Sequence, residues 1–432
     1  MKVFDLITKK KNKKTLTKEE IDFFISGVMA NEIKDYEASA FLMATAINGM
    51  TIQETYDLTM AMANSGDVVD FEGVKGPIID KHSTGGVSDT TTLVIMPIIA
   101  SLGVKFAKMS GSSLGFTGGT ADKLQVFTGY NLNLTQQEFK NTINTVGGSV
   151  ITQTKNLAPA DKILYDLRNK TASVESMPLI AASIMSKKLA SNADVIVLDV
   201  KFGKGAFMKT QKQATVLAKT MVEIGKKAGK KVSAILTDMN DPLGSGIGNN
   251  LEVKNAINVL KGKRNNLATV SKKLCEQILL LSNTYDLKTA KKAINDSITS
   301  GNALLKLQEI IRSQGGDDQI ITRTELMQKP KFTQFVVAKK NGFVNSFKTK
   351  ELGYIVSGLK ESKTSKIIKS DHAVGIKLFV KRNTKVKTGD KLAEIQCNSE
   401  EKLLNAQKQM ENVISIGKNK KTKGKLIQAI IK

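Results

Sequence analysis

Asp80-Lys81-His82-Ser83-Thr84-Gly85-Gly86-Val87-Ser88-Asp89-Thr90-Thr91-Thr92 is the stretch on which the reading of this chain turns. An apolar strand pattern, Val74 to Asp80, ends in charge, a histidine, hydroxyls and two glycines, and an apolar helical run follows. Glycines let backbone N–H groups approach an anion, and a helix N-terminus adds partial positive charge. Lys81 can supply a full charge, while Ser83 and Thr92 can donate hydrogen bonds. The pattern suits a phosphate cradle, although it is not the G-x-x-x-x-G-K-[ST] loop. The plainer alternative is a strand–helix turn that binds nothing. The lysine, histidine and hydroxyls crowded beside the glycines argue against it.

A second stretch has the same grammar. Lys108-Met109-Ser110-Gly111-Ser112-Ser113-Leu114-Gly115-Phe116-Thr117-Gly118-Gly119-Thr120-Ala121-Asp122-Lys123-Leu124 follows the strand candidate Val104 to Met109 and precedes a helix. Loops after neighbouring parallel strands open at one edge of the sheet, where α/β proteins place ligands. One anion could sit between the two. A third stretch carries Arg168, the only arginine in the first 263 residues, and then Ser183 and Lys187, four apart and so on one helix face. A structural ion pair for Arg168 and a solvated surface role for Lys187 are the alternatives.

Outward from these motifs, residues 1–65 read as helices, with Thr17-Lys18-Glu19-Glu20 as a capping box. Val195 to Val200 and Lys231 to Thr237 extend the set of buried strands, each followed by glycine and a helix, which favours a parallel sheet. Residues 160–192 interrupt that sheet with helical sequence. Past residue 325, short strands (Phe332 to Val337, Gly342 to Phe347, Ile376 to Val380) and helices (Gly353 to Leu359, Glu400 to Ile414) are expected. The fold class is α/β with a discontinuous all-α domain and a C-terminal α+β domain. Residues 1–65 plus 160–192 form the helical part, 66–159 plus 193–325 the α/β part, and 326–432 the last.

The 432 residues carry 65 Lys and Arg against 40 Asp and Glu, a net charge of +25. Only five of the 65 are arginine, the better reader of phosphate and guanine edges, and tryptophan is absent. No specific nucleic-acid role is expected; the charge is a background field that serves an anionic small molecule equally well. Leu93 to Val104 is too short for a bilayer and holds Pro97, and Met1 to Asp5 does not start a signal peptide. A cytoplasmic protein is the expectation. Cys275, Cys397 and His372 read as structural.

The three stretches together resemble the thymidine/pyrimidine-nucleoside phosphorylases. The family's Lys-His-Ser-Thr-Gly-Gly-Val stands at Lys81 to Val87, its Met-Ser-Gly…Asp-Lys-Leu signature at Met109 to Leu124, and its Ser-Lys-Lys-Leu-Ala helix at Ser186 to Ala190. Gly203 to Met208, Thr237 to Gly244 and Asp371 to Ile376 also match, so the likeness runs nearly the length of the chain. The run Asp89 to Val94 looks closer to the broad-specificity pyrimidine enzyme than to the strict thymidine one, which is the alternative.

The resemblance implies an architecture like that of class II nucleoside phosphorylases and anthranilate phosphoribosyltransferase, and a homodimer through the helical domain. It implies reversible phosphorolysis of uridine, deoxyuridine or thymidine by inorganic phosphate, without an organic cofactor. Carried over, phosphate falls on Lys81, Ser83, Thr92, Lys108, Met109, Ser110 and Thr120. The base falls on Arg168, Ser183 and Lys187, with His82 nearby; His82, Arg168 and Lys187 are the implied catalytic residues. A potassium site would involve Ser88, Thr90, Leu243, Gly246 and Asn255. The chain departs from the family at several positions. Ser88 and Ser113 replace glycines, Ser112 an arginine, Phe116 a histidine, and Gln125 and Asn255 glutamates. The changes at 88 and 255 lead to an expectation of weakened cation binding. Two competitors are a phosphoribosyltransferase, which would want an acidic pair for Mg²⁺ beside the glycine loops, and a basic binding protein with a degenerate site.

Overall fold

The structure is a computed structural model that describes residues 1–111, 115–360, 371–422 and 424–432. At its centre is a six-stranded sheet built from β1 (Ile78–Ser83), β2 (Lys105–Ser110), β3 (Gly148–Thr152), β4 (Val195–Phe202), β5 (Lys231–Asp238) and a final strand from the chain's end. Four helices, α1 (Val3–Lys11), α2 (Lys18–Met29), α3 (Asp35–Asn48) and α4 (Ile52–Ala63), precede it. Between and after the strands come α5 (Thr91–Ser101), α6 (Thr120–Leu124), α7 (Gln136–Val146), α8 (Pro159–Lys170), α9 (Met177–Ala190), α10 (Gln211–Lys227) and α11 (Asn249–Leu260).

Sheet order explains where a ligand can go. β1 pairs in parallel with β2 on one side and with β4 on the other; β3 and β5 lie beyond them. The connection reverses direction at β1, so the loops after β1, β2 and β4 diverge and leave a crevice at the carboxyl edge. Every residue of α5 from Thr91 to Ala100 is buried, as an all-round apolar helix must be. It anchors the first loop in a core with Phe106, Ile257, Leu274 and Ile310.

The helical part closes over its own core of Leu6, Phe24, Phe41, Leu58, Leu164 and Leu179, with Phe24 and Phe41 stacked at 4.0 Å. The Thr17–Glu20 capping box forms, and a second one at Thr51–Glu54 lets Glu54 also hold the buried Lys10 at 2.9 Å. Helix α9 packs against α4 on one side and α10 on the other, so it is the seam between helical and α/β parts.

Beyond α11, helices Asn266–Leu281, Leu287–Thr299 and Asn302–Ser313 complete the α/β core. The C-terminal part holds two small sheets. One has β8 (Gly342–Phe347) between β10 (Lys385–Val386) and β12 (Ile414–Gly417). The other runs β6 (Gly246–Ile247), β9 (Gly375–Leu378), β11 (Lys391–Cys397) and β7 (Phe332–Val337).

Several expectations change. The first strand starts at Ile78 and runs through Ser83, because Lys81 to Ser83 find ladder partners in Val197 to Asp199. The helix expected over 400–414 stops at Met410, and Ile414 opens a strand paired with Phe347. The last strand, β13 (Ile427–Ile431), leaves the C-terminal part and pairs antiparallel with β5 in the main sheet. Gly246 and Ile247, placed in the α/β part, are instead an edge strand of a C-terminal sheet. Among the described residues no helix is long and apolar enough to cross a membrane.

Candidate active site

A solvent-open cleft at the carboxyl edge of β1 and β2 is lined by Lys81 to Gly86, Thr92, Lys108 to Gly111 and Thr117 to Thr120, with Lys187 and Lys188 entering from α9. All seven expected phosphate residues line it: Lys81, Ser83, Thr92, Lys108, Met109, Ser110 and Thr120. His82 and Lys187 line it as well, whereas Arg168 and Ser183 do not. At Gly85 the chain takes φ +87°, a turn that a side chain would strain. At Gly86 a Cβ would come within 2.7 Å of the Met239 methyl group.

Beneath the loops lies a layer of buried charge. Asp199 in β4 accepts from Lys201 at 2.7 Å and from Thr237 at 2.8 Å, and stands 3.7 Å from Lys81. Lys81 donates to the Thr91 hydroxyl at 2.6 Å. Asp89 accepts from Ser83 at 2.6 Å and from Thr91, which pins the loop to the start of α5. Lys201, Lys81 and Lys123 hold the Asp89 carboxyl well below the usual range despite its burial. Lys123, anchored to Glu252 at 2.7 Å, donates to the Asp89 carbonyl. On the far side of β1, Lys188 pairs with Asp80 at 2.6 Å, both buried.

This frame sets the charge states in the cleft. Burial pushes Lys108 down to about 7, so its ammonium gives up its proton readily near neutral pH. Burial, followed by the charges of Lys188, Lys108, Lys81 and Lys187, drives His82 well below its ordinary value. His82 is therefore a neutral imidazole at pH 7, with one N–H to donate.

The opposing wall is built differently. Lys187 pairs with Asp161 of α8 and donates to Ser183 at 3.2 Å. Arg168 is buried at 3% exposure and commits its guanidinium to three backbone carbonyls: Ser173 at 3.3 Å, Leu179 at 3.1 Å and Val174 at 2.7 Å. It holds the α8–α9 turn and keeps two of its five N–H groups for other partners.

Ser88, Gly246 and Asn255 come together from the β1–α5 loop, β6 and α11, with Leu243 bonded to Val87 beside Ser88; Thr90 is buried at the start of α5. Ser88 Oγ donates to the Gly246 carbonyl at 2.5 Å, and Leu243 N–H donates to Val87 at 3.2 Å. Phe116 packs between Phe207 and Tyr354, ring centroids 5.2 and 5.5 Å away, and so ties the second loop to the C-terminal part. Ser112 and Ser113 lie outside the described residues.

Sequence reasoning passed over Asp199, Lys201, Lys188, Asp161 and Glu252. A signal existed for the first two: a buried strand, Val-Ile-Val-Leu-Asp-Val-Lys-Phe, holding two charges at alternate positions must pair them. The other three are helix residues whose partners lie far away in sequence.

The chain is similar to known proteins over most of its length. Residues 75–304 match the glycosyl transferase family a/b domain, residues 4–66 the helical bundle domain of the same family, and residues 343–417 the pyrimidine nucleoside phosphorylase C-terminal domain. The pyrimidine-nucleoside phosphorylase of Bacillus subtilis (strain 168) is 45% identical over 402 residues, 93% of each chain. That of Staphylococcus aureus (strain USA300) is 44% identical over 403 residues, again 93% of each. The crystal structure of anthranilate phosphoribosyltransferase from Thermus thermophilus superposes with a TM-score of 0.59 at 18% identity, covering 72% of this chain and 99% of that one, which is a likeness of fold. With two domains of one family in sequence, a third specific to its phosphorylase branch, and full-length relatives at this identity, the chain belongs to the pyrimidine-nucleoside phosphorylase family.

Proposed function

We propose that the cleft catalyses reversible phosphorolysis of pyrimidine nucleosides. Phosphate bound between the two glycine loops attacks C1′ of the sugar, the C1′–N bond breaks, and its electron pair leaves with the base. The products are the free pyrimidine and the (deoxy)ribose 1-phosphate. The observation that carries this reading is one cleft with two unlike walls: phosphate loops braced by buried charge on one, Lys187 on α9 across from it, with Arg168 outside the lining and holding the α8–α9 turn.

The chemistry follows from charge development. In an oxocarbenium-like transition state the departing base gains negative charge, and a cation that meets it there lowers the barrier more than it tightens substrate binding. Lys187 and Arg168 take that role. His82, being neutral, contributes an N–H hydrogen bond to the base rather than a free acidic proton. Lys108 supplies charge to the phosphate as the anion re-protonates it. Because the walls belong to different parts of the chain, a closing motion completes the site.

No organic cofactor enters this scheme. A homodimer through the helical part is supported by Phe4, Tyr36 and Ile47, which leave large apolar side chains exposed there. Two buried free cysteines fit a reducing compartment such as the cytoplasm. The test is product analysis with uridine, deoxyuridine and thymidine, each with and without phosphate. Base release that requires phosphate and yields sugar 1-phosphate is expected. Release at the same rate without phosphate, or none with any of the three, would sink the reading.

A further inference from the structure

The residues that the family resemblance assigns to a potassium ion do not make a cation site in this chain. A hard cation is surrounded by oxygens whose lone pairs turn inwards. Here the oxygen at the centre of the group, the Gly246 carbonyl, is met by donors. Ser88 Oγ–H reaches it at 2.5 Å and Asn255 Nδ2–H at 3.4 Å. The other amide atom of Asn255, Oδ1, accepts from Ser245 at 3.1 Å. The Ser245 hydroxyl can donate or accept, so the Gly246 carbonyl alone sets which way the amide faces. Turned over, its oxygen would oppose the Gly246 oxygen, acceptor against acceptor.

Gly244, Ser88 and Asn255 are packed closely together. A Cβ added to Gly244 would lie 2.6 Å from Ser88 Oγ and 2.7 Å from Asn255 Nδ2. The neighbouring carboxylate on α11, Glu252, is already neutralised by Lys123 at 2.7 Å and accepts from the Gly248 N–H. Thr90 Oγ1 is buried without a hydrogen-bond partner among the described residues, but it is one neutral oxygen and not a shell.

Ser88 adds an independent observation. Its backbone sits at φ +63°, a region unfavourable for any residue with a Cβ and natural for glycine. A serine held there has a use that glycine lacks, and its hydroxyl on Gly246 supplies that use.

We propose that Ser88 and Asn255 form a hydrogen-bonded clasp that takes the place of a monovalent cation, so that this chain folds and works without one. The clasp joins the β1–α5 loop, the β5–β6 turn and α11. The β6 strand, Gly246–Ile247, pairs in turn with Lys377 and Ile376 of β9 in the C-terminal part. A built-in contact thus sets the phosphate loop against that part. The activity half of this proposal rests on the phosphorolysis reading; the melting half does not.

The experiment compares thermal melting and phosphate-dependent turnover in KCl, NaCl and tetramethylammonium chloride at equal ionic strength. The three melting temperatures should agree within about 1 °C, because no cation binds the native state alone. Turnover should be the same in all three salts. A potassium-specific rise of about 3 °C or more would overturn the clasp. The double substitution Ser88→Gly, Asn255→Glu should create such a rise. A folded double variant as indifferent to potassium as its parent would remove these two residues from the explanation. If the double variant folds in no salt, Ser88→Gly alone decides. Loss of the clasp lowers its melting temperature, while relief of backbone strain alone would raise it, and a rise overturns the proposal. Absence of turnover in every salt would count against phosphorolysis and leave the melting result to judge the clasp.

Discussion

The two walls of the cleft solve the problem of presenting positive charge in opposite ways. On the sheet side, lysines are buried to the last few per cent and, Lys108 apart, balanced by acids: Lys201 and Lys81 by Asp199 and Asp89, Lys123 by Glu252. On the helix side, Lys187 remains partly exposed with a single acidic partner, and Arg168, outside the cleft lining, is engaged with the carbonyls of its own turn. The first wall is a fixed frame that needs only its anion. The second leaves Lys187 partly exposed, free to meet a base in the proposed reaction. Preorganisation of the nucleophile is compatible with entry of a bulky nucleoside only if the base side yields.

The comparison breaks most decisively at Asp199. Asp199→Ala leaves Lys201 and Lys81 buried with Asp89 as their one remaining counter-charge and should cost about 3–5 kcal/mol. Melting should fall by roughly 10 °C. A loss within a degree or two would mean that the frame is not held by charge. Arg168→Ala should come next, lowering kcat by roughly 10²–10³-fold with little change in phosphate KM. Its defect should shrink with 5-substituted uridines whose base leaves more easily. A penalty that stays flat across that series would make Arg168 a brace of the α8–α9 turn and nothing more. Arg168→Lys should fare poorly too, since an ammonium cannot hold three carbonyls in a plane.

A finer probe is the titration of Lys108. Its folded pKa is depressed to about 7 from 10.5, so its charged form is penalised in the native state. The unfolded chain binds the extra proton between those values, and stability from this group therefore rises with pH across that window. Sulfate, which does not titrate there, should bind with uptake of nearly one proton at pH 8 and almost none at pH 6. Its affinity should fall by up to ~10-fold per pH unit above about 7. Calorimetry in buffers of different ionisation heat reads the uptake. None at either pH, or no change in Lys108→Met, would show that the ammonium is not the anion's partner. The smallest stability effect belongs to the other wall. Asp161→Ala should cost about 1 kcal/mol or less, because its lysine can turn to water, yet should lower kcat several-fold by freeing Lys187 to wander. Equal stability losses at Asp161 and Asp199 would erase the difference between the walls.

Much of this was legible in the chain. The two loops announced themselves because apolar strands ending in Lys81-His82-Ser83 and Lys108-Met109-Ser110 have no apolar reason to carry those residues, and the glycines after them tell of close backbone approach. The helical cap at Thr17 was readable for the same local reason. What was not legible depends on distance. Arg168 binds carbonyls, which every residue has, so nothing in the sequence points to its partners. Lys187 and Lys188 are neighbours on α9 that both reach the cleft but pair with different acids, Asp161 and Asp80, and only packing tells them apart. The short strand β3 and the terminal β13 were missed because neither run has a period long enough to distinguish it from a turn or a tail. Met410 ends its helix although the apolar pattern continues, since Ile414 gains more in a ladder with β8 than in another helical turn.

The strand β13 has a consequence for the way the chain is made. Ile427–Ile431 covers the outer edge of β5 in register Ile431 with Ala234 and Ile430 with Ile235. On a ribosome, β5 is finished long before that cover exists, with the whole C-terminal part still to be translated. During that interval an apolar strand with unpaired N–H and C=O groups faces solvent, the arrangement most open to adhesion between nascent chains. Closure of the sheet at β5 thus waits until residues 427–431 are made, and chaperone dependence during translation should centre on β5 rather than on the glycine loops that line the cleft.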